Sequence, residues 1–214
     1  MEKEVGEMQT MQRSIEIPEL ERLEPIHTKG LQRVFAILRF AMGWTFLWAF
    51  LDKAFALGFS TGRVVDQAGQ TTGIDFFGPD AWISGASPTA GAVGFALKGP
   101  FADGIQTLTG YQMTEAGPQV AGWLDWVYMA SLLLIGLGLI TGVMTRLAAV
   151  GGIIWMAAFY LGTAIWPEHN PFLDDHLVYV VVLAGLILAN AGRYYGLGKV
   201  WQGYGFVRDR RYLY

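Results

Sequence analysis

The sequence predicts an all-α integral membrane protein: a bundle of four transmembrane helices with a long extracytoplasmic loop between the first and the second. Three observations predict it. Of the 214 residues 53% are hydrophobic and only 15% charged, which is too apolar for a soluble domain of ordinary make-up. The long apolar runs are apolar nearly all round, where a soluble helix would carry a polar stripe. Glycine is abundant, at 28 residues, and tryptophans gather near the ends of those runs, as they do in membrane helices and their interfacial belts.

Residues 1–30, "MEKEVGEMQTMQRSIEIPELERLEPIHTKG", hold seven Glu against four Lys or Arg and no apolar core of signal-peptide length. They read as a cytoplasmic Glu-rich arm, and the first apolar helix as a signal anchor. A hydrocarbon core of roughly 30 Å takes about 20 helical residues to cross. The first candidate span is 34–59, "VFAILRFAMGWTFLWAFLDKAFALGF", with Arg39 toward one end and Asp52 and Lys53 toward the other. A connection over about 60–120 follows, far longer than an ordinary link. Its middle, "WISGASPTAGAVGFALKGPFADGIQTLTGY", is rich in small and apolar residues, which argues against disorder. Irregular backbone is not tolerated against lipid, so this loop is expected to fold back on the bundle, with short helices at the outer surface.

The second span covers 122–143 and the third 147–166. The fourth, "LVYVVVLAGLILANAG", is short and is extended back through Phe172 to His176. The membrane domain is therefore 31–196, followed by a cytoplasmic tail over 197–214. Gly138 with Gly142, and Gly185 with Ala189, form small-xxx-small pairs at which helix backbones could approach closely.

Basic residues set the orientation. Lys3, Arg13, Arg22, Lys29 and Arg33 precede the first span, Arg146 lies between the second and third, and Arg193, Lys199, Arg208, Arg210 and Arg211 follow the fourth. Only Arg63 and Lys98 fall on the other side. The positive-inside rule then puts both termini in the cytoplasm and the long loop outside.

That orientation brings Asp52, Lys53, Asp125 and the stretch "PEHNPFLDDH", residues 167–176, to one membrane level. Ionisable groups at such a level are costly and normally pair or act. Bland readings exist for each. Asp52 and Lys53 can be a snorkelling pair, and Asp125, between Trp123 and Trp126, a belt residue facing water. Pro167 and Pro171 can frame a turn in which Asp174 or Asp175 caps the fourth helix. Capping needs one carboxylate, whereas here two precede a histidine. Arg39 can snorkel to lipid phosphate or, facing the bundle, hold an anion or a quinone oxygen.

The functional reading is proton handling beside a redox lipid, because quinone reduction takes up protons with electrons and histidine titrates near neutral pH. Asp174, Asp175, His176 and Asp125 are its candidate catalytic residues, and Arg39, Asp52, Lys53, His169 and Asn170 its candidate quinone-binding residues. Lys53, Arg63 or Lys98 would supply charge for an anionic donor.

Other chemistry is disfavoured. With no cysteine, neither a disulfide nor a thiolate-bound iron–sulfur cluster can form in this chain. The spacing of His169, Asp174, Asp175 and His176 matches no strong metal motif. The third histidine, His27, sits in the N-terminal arm, away from the other two, which disfavours haem. No strand–GxGxxG–helix unit points to a flavin or nicotinamide, and no aromatic-interleaved basic patch to nucleic acid. Quinone would be a substrate rather than a resident cofactor.

Three runs carry a resemblance: "SGASPTAGAVGFALKGPFADGIQTLTGY", "DWVYMASLLLIGLGLITGVMTRLAAVGG" and "WPEHNPFLDDHLVYVVVLAGLILANAGRYYGLGKVW". Over about residues 33–201 the chain resembles the DoxX/DoxD family of four-helix membrane proteins, particularly the DoxD-like small subunits of thiosulfate:quinone oxidoreductase. Local combinations include SPT before GPFA, NP before an Asp-rich helix start, and AGR followed by GLG. The resemblance implies a multi-pass subunit in a prokaryotic cell membrane that, with a second oxidoreductase subunit, passes electrons from a sulfur compound such as thiosulfate to membrane quinone. It carries over no catalytic residue; the matching positions are Asp125, Asn170, Pro171, Asp174, His176 and Arg193. The alternative is a non-catalytic accessory or assembly subunit of a larger respiratory-chain complex. Its contact surfaces would be the Glu-rich arm, the long loop and the tail "WQGYGFVRDRRYLY".

Overall fold

The computed structural model describes residues 28–98, 101–115, 117–163, 170 and 172–213. Four apolar helices form its frame: α1 over Lys29–Phe55; after the short α2 over Ala102–Leu108, α3 over Gly122–Thr141; α4 over Thr145–Thr163; and α5 over Asp175–Leu188. α1 packs on α3, α3 on α4, α4 on α5, and α5 returns to α1, closing the ring. Met42 and Phe46 of α1, Met129, Leu132 and Leu139 of α3, Met156 of α4, and Leu183 and Leu186 of α5 meet in one core.

The outward faces are apolar too. Ile37 on α1, Leu134 on α3, Ile154 on α4 and Val181 on α5 are each more than 60% exposed. A helix that is apolar all round belongs in lipid, and the chain is a membrane protein. α1, α3 and α4 are each long and apolar enough to cross a bilayer. At 14 residues, α5 reaches only about 21 Å at 1.5 Å per residue, short of a core of roughly 30 Å. The expected fourth span of 172–192 is therefore a shorter helix. Asp174 starts it, its side chain accepting from the Leu177 N–H. It stops at Leu188 because Asn190 turns left-handed, with φ 47°.

Close approach occurs where small residues oppose one another. A Cβ on Gly43 of α1 would meet Ile140 and the Gly136 carbonyl of α3, and one on Gly136 would meet Leu47. Gly138 faces Ala148 of α4, whereas Gly185 has open space around it. Of the two expected small-residue pairs, the one in α5 makes no such contact at its glycine.

The loop between α1 and α3 is not purely helical. β1 (Arg63–Val65) pairs antiparallel with β2 (Thr71–Ile74), and β3 (Gln112–Thr114) with β4 (Gly117–Gln119). Asp66 closes the first hairpin, its Oδ1 accepting from the N–H groups of Ala68 and Gln70, both at 2.9 Å. Between the hairpins lie a 3-10 turn at Trp82–Ser84, a π-type turn at Ala92–Ala96, and α2. The segment is stitched down: Trp82 meets Trp126 edge-on at 4.7 Å, and the Lys98 N–H donates to the Gly162 carbonyl at 3.0 Å. Folding back onto the bundle is what lets so long a connection remain ordered.

At the opposite end, Gly198–Gly203 (α6) and Gly205–Arg208 (α7) form a small cap. Trp201 Nε1 donates to the Leu213 carbonyl at 2.6 Å and holds the tail against α6.

Candidate functional site

At the loop end of the bundle, α1 finishes on a buried carboxylate. Asp52 is 1% exposed; its Oδ1 accepts from the Phe59 N–H at 2.9 Å and its Oδ2 from the Ser60 N–H at 2.8 Å and from the Ser60 hydroxyl. Ala56 takes a left-handed φ of 54°, and the chain curls back so that these donors reach the last turn of α1. Lys53 Nζ donates to the same Ser60 hydroxyl at 3.1 Å. The two adjacent residues thus fasten the loop to the helix end instead of both reaching for water.

Asp125 fastens the other side. Buried in the first turn of α3, it accepts at Oδ1 from the Thr89 N–H at 3.0 Å and the Thr89 hydroxyl at 2.6 Å. A buried carboxylate holding two donors is satisfied, and here it pins the residues before the π-type turn over the bundle.

Beneath this roof lies a cavity of about 330 Å³, lined mainly by apolar groups, among them Val93, Leu97, Leu124, Trp155 and Phe159. Lys53, Thr89, Thr109 and Tyr128 supply its polar side chains. The aromatic wall is rigid: Tyr128 meets Trp155 edge-on at 5.0 Å, and Trp155 stacks on Phe159 at 5.8 Å. Trp155 Nε1 donates to the Ser131 hydroxyl at 2.7 Å, and that hydroxyl donates to the Tyr128 carbonyl.

On the other side of the roof is a second cavity, a polar basin of about 650 Å³. Ser60, Asp80, Ser87, Gln119 and Asp125 are among its lining residues. Lys53 and Thr89 line the first cavity, while their partners Ser60 and Asp125 line the second.

The Asp174–His176 pair stands behind the aromatic wall. His176 Nδ1 lies 2.6 Å from Asp174 Oδ2, and the imidazole packs on Phe159 with ring centres 5.7 Å apart. Phe159 lines the apolar cavity and His176 does not. Asp175 is exposed in the first turn of α5. Asn170 caps its own turn, Oδ1 accepting from the Phe172 and Leu173 N–H groups at 3.2 and 3.0 Å. His169 lies outside the described residues.

Arg39 belongs to the opposite end. Only 2% exposed, it donates from Nη1 to the Gly192 carbonyl at 3.4 Å and from Nη2 to the Tyr195 carbonyl at 3.1 Å. The candidate residues therefore form two groups: Asp52, Lys53, Asp125, Asp174, Asp175, His176 and Asn170 at the loop end, and Arg39 far from them. Sequence reasoning missed Thr89, Tyr128, Trp155 and Phe159. Thr89 carried no signal beyond its place in the SPT run, and nothing in the spacing of the aromatics separates a cavity wall from a core. Among the described residues no group of three or more His, Asp or Glu could hold a metal ion.

A protein-family model described as DoxX matches residues 96–164. Neither a curated protein nor a solved structure matches the chain.

Proposed function

Starting from a chain that carries a DoxX segment over residues 96–164, we propose that it is the membrane subunit of a quinone-linked oxidoreductase. Electrons from a reduced sulfur compound such as thiosulfate pass to quinone bound in the apolar cavity. One observation carries this reading: a cavity of about 330 Å³ whose walls are almost wholly apolar and aromatic, with Lys53, Thr89, Thr109 and Tyr128 as its few polar side chains. A quinone ring is flat and apolar with two carbonyl oxygens, and it asks for such a slot with a few well-placed donors. Lys53 also offers positive charge where negative charge develops on the reduced ring. Leu97, Leu124, Tyr128, Trp155 and Phe159, five of its wall residues, fall within the DoxX segment.

In this reading α5, lengthened at its ends by residues 172–174 and 191–193, completes a fourth crossing of a prokaryotic cell membrane. The basic-residue distribution keeps both termini in the cytoplasm, and the cavity opens near the outer face. A second subunit, docked on the outer loop, delivers the electrons. Asp174 and His176 back the Phe159 wall, where protons would pass only on displacement of that ring.

The accessory-subunit reading draws on a different observation. Tyr204 and Phe206 are each more than half exposed beside Trp201, an aromatic face suited to a protein neighbour.

The test is quinone binding and turnover by protein purified from its native membranes together with whatever accompanies it. A short-chain ubiquinone analogue should quench Trp155 fluorescence, and a Trp155→Phe control should lose that component. Lys53→Met should weaken quinone binding about tenfold or more, the loss expected for a hydrogen bond to a charged group. Thiosulfate-dependent quinone reduction should fall with it. Unaltered binding in Lys53→Met and in Tyr128→Phe would remove quinone from this cavity.

A further inference from the structure

The apolar cavity and the polar basin share a wall, and two side-chain hydrogen bonds cross it. Lys53 on the cavity side donates to Ser60 on the basin side at 3.1 Å, and Thr89 on the cavity side donates to Asp125 on the basin side at 2.6 Å. Only the second of these pairs can pass a proton inward. In the first pair the Ser60 hydroxyl is already committed, donating to Asp52. Asp125 is a carboxylate lining the polar basin, bonded to the hydroxyl of a residue that lines the apolar cavity.

We propose that Asp125 and Thr89 are the proton inlet of the quinone site. This rests on the quinone reading above. Quinone reduction consumes two electrons, supplied by the sulfur donor, and two protons. In the proposed step Asp125, protonated from water in the basin, gives its proton to the Thr89 oxygen. Thr89 at the same time releases its own hydroxyl proton to the oxygen of the reduced quinone. One O–H bond forms and one breaks at each transfer, Thr89 ends as it began, and Asp125 is left as a carboxylate to be protonated again. The second turn of this cycle delivers the second proton. Lys53, the cation on the cavity side, favours the anionic quinone that receives the protons.

The placement also explains why Asp125 should be a carboxylate rather than an amide. As a staple for the loop, Asn would serve about as well, accepting the same two bonds through its carbonyl oxygen. Only an acid can load and unload a proton. The His176–Asp174 pair is poorly placed for this work, because Phe159 stands between it and the cavity contacts.

The experiment uses protein purified from native membranes with its accompanying subunits, thiosulfate as donor and a short-chain ubiquinone as acceptor. Quinone binding is followed separately by Trp155 quenching. Asp125→Asn should lower kcat about 10²-fold or more, the scale of lost proton-transfer catalysis, while quinone binding and KM stay within about twofold. Thr89→Val should lower kcat to the same extent, with binding weakened by no more than the loss of one donor, and Thr89→Ser, which keeps the hydroxyl, should restore turnover. If Thr89→Val and Thr89→Ser behave alike, or if Asp125→Asn loses binding in step with kcat, the pair is a structural staple and the inlet is overturned. Wild-type kcat in Asp125→Asn with binding intact overturns the inlet alone. Failure of the wild-type protein to bind quinone removes the quinone reading, and the inlet with it.

Discussion

A guanidinium deep in an apolar helix must find acceptors or destabilise the fold. Arg39 finds two backbone carbonyls, those of Gly192 and Tyr195, which follow the end of α5, where unpaired helix carbonyls concentrate negative charge. Glycines make the room: a Cβ on Gly196 would lie 2.8 Å from Nη2, and one on Gly142 would overlap the guanidinium. Gly142 also sits at φ 82° as the C-cap of α3. Among the described residues Nε has no acceptor, so the two carbonyls carry the whole compensation. Arg39→Leu should lower stability by about 2–4 kcal/mol, since two carbonyls lose a charged donor. In detergent this should appear as a fall in Tm of about 5–15 °C; an unchanged Tm would show that the cage is dispensable. The sequence singled out Arg39 because a charge in an apolar run is conspicuous. It did not reveal the partners, because carbonyl groups belong to every residue and leave no mark in a sequence.

At the scale of elements, the long apolar helices were legible and their ends less so. α1, α3 and α4 fall where unbroken apolar runs put them, within a few residues at each described end. Ends are decided by single side chains: Asp52 draws the Phe59 and Ser60 amides onto α1, and Asp174 starts α5. The loop hairpins were hidden because strands of three or four residues are too short to show alternation. Asp174 makes the cap testable. Asp174→Ala should lower stability by about 1 kcal/mol, as lost caps do, read as a fall in Tm of about 2–4 °C for a chain of this length; an unchanged Tm would show that the Leu177 N–H finds another acceptor.

For the whole molecule, fold class came from composition and periodicity, whereas the cavity could not. Its polar groups, Lys53, Thr89, Thr109 and Tyr128, come from α1, the loop and α3, with no common spacing to betray them. Orientation rests on charge counting and can be settled cleanly, since the chain has no cysteine and any introduced thiol is the sole target. A membrane-impermeant maleimide should label Asp66→Cys, at the exposed tip of the first hairpin, in intact cells. It should reach Lys199→Cys only after permeabilisation; the opposite pattern would invert the proposed topology. The Arg39 cage bears finally on how the chain is made. Its carbonyl at Gly192 lies 153 residues downstream of the arginine, and at about 5–20 residues per second the ribosome takes roughly 8–30 s to bridge them. Throughout that interval α1 enters the bilayer with a charge that has no partner. The cost of holding that charge in an apolar helix, a few kcal/mol on insertion scales, is relieved only when the C-terminal turn closes on it.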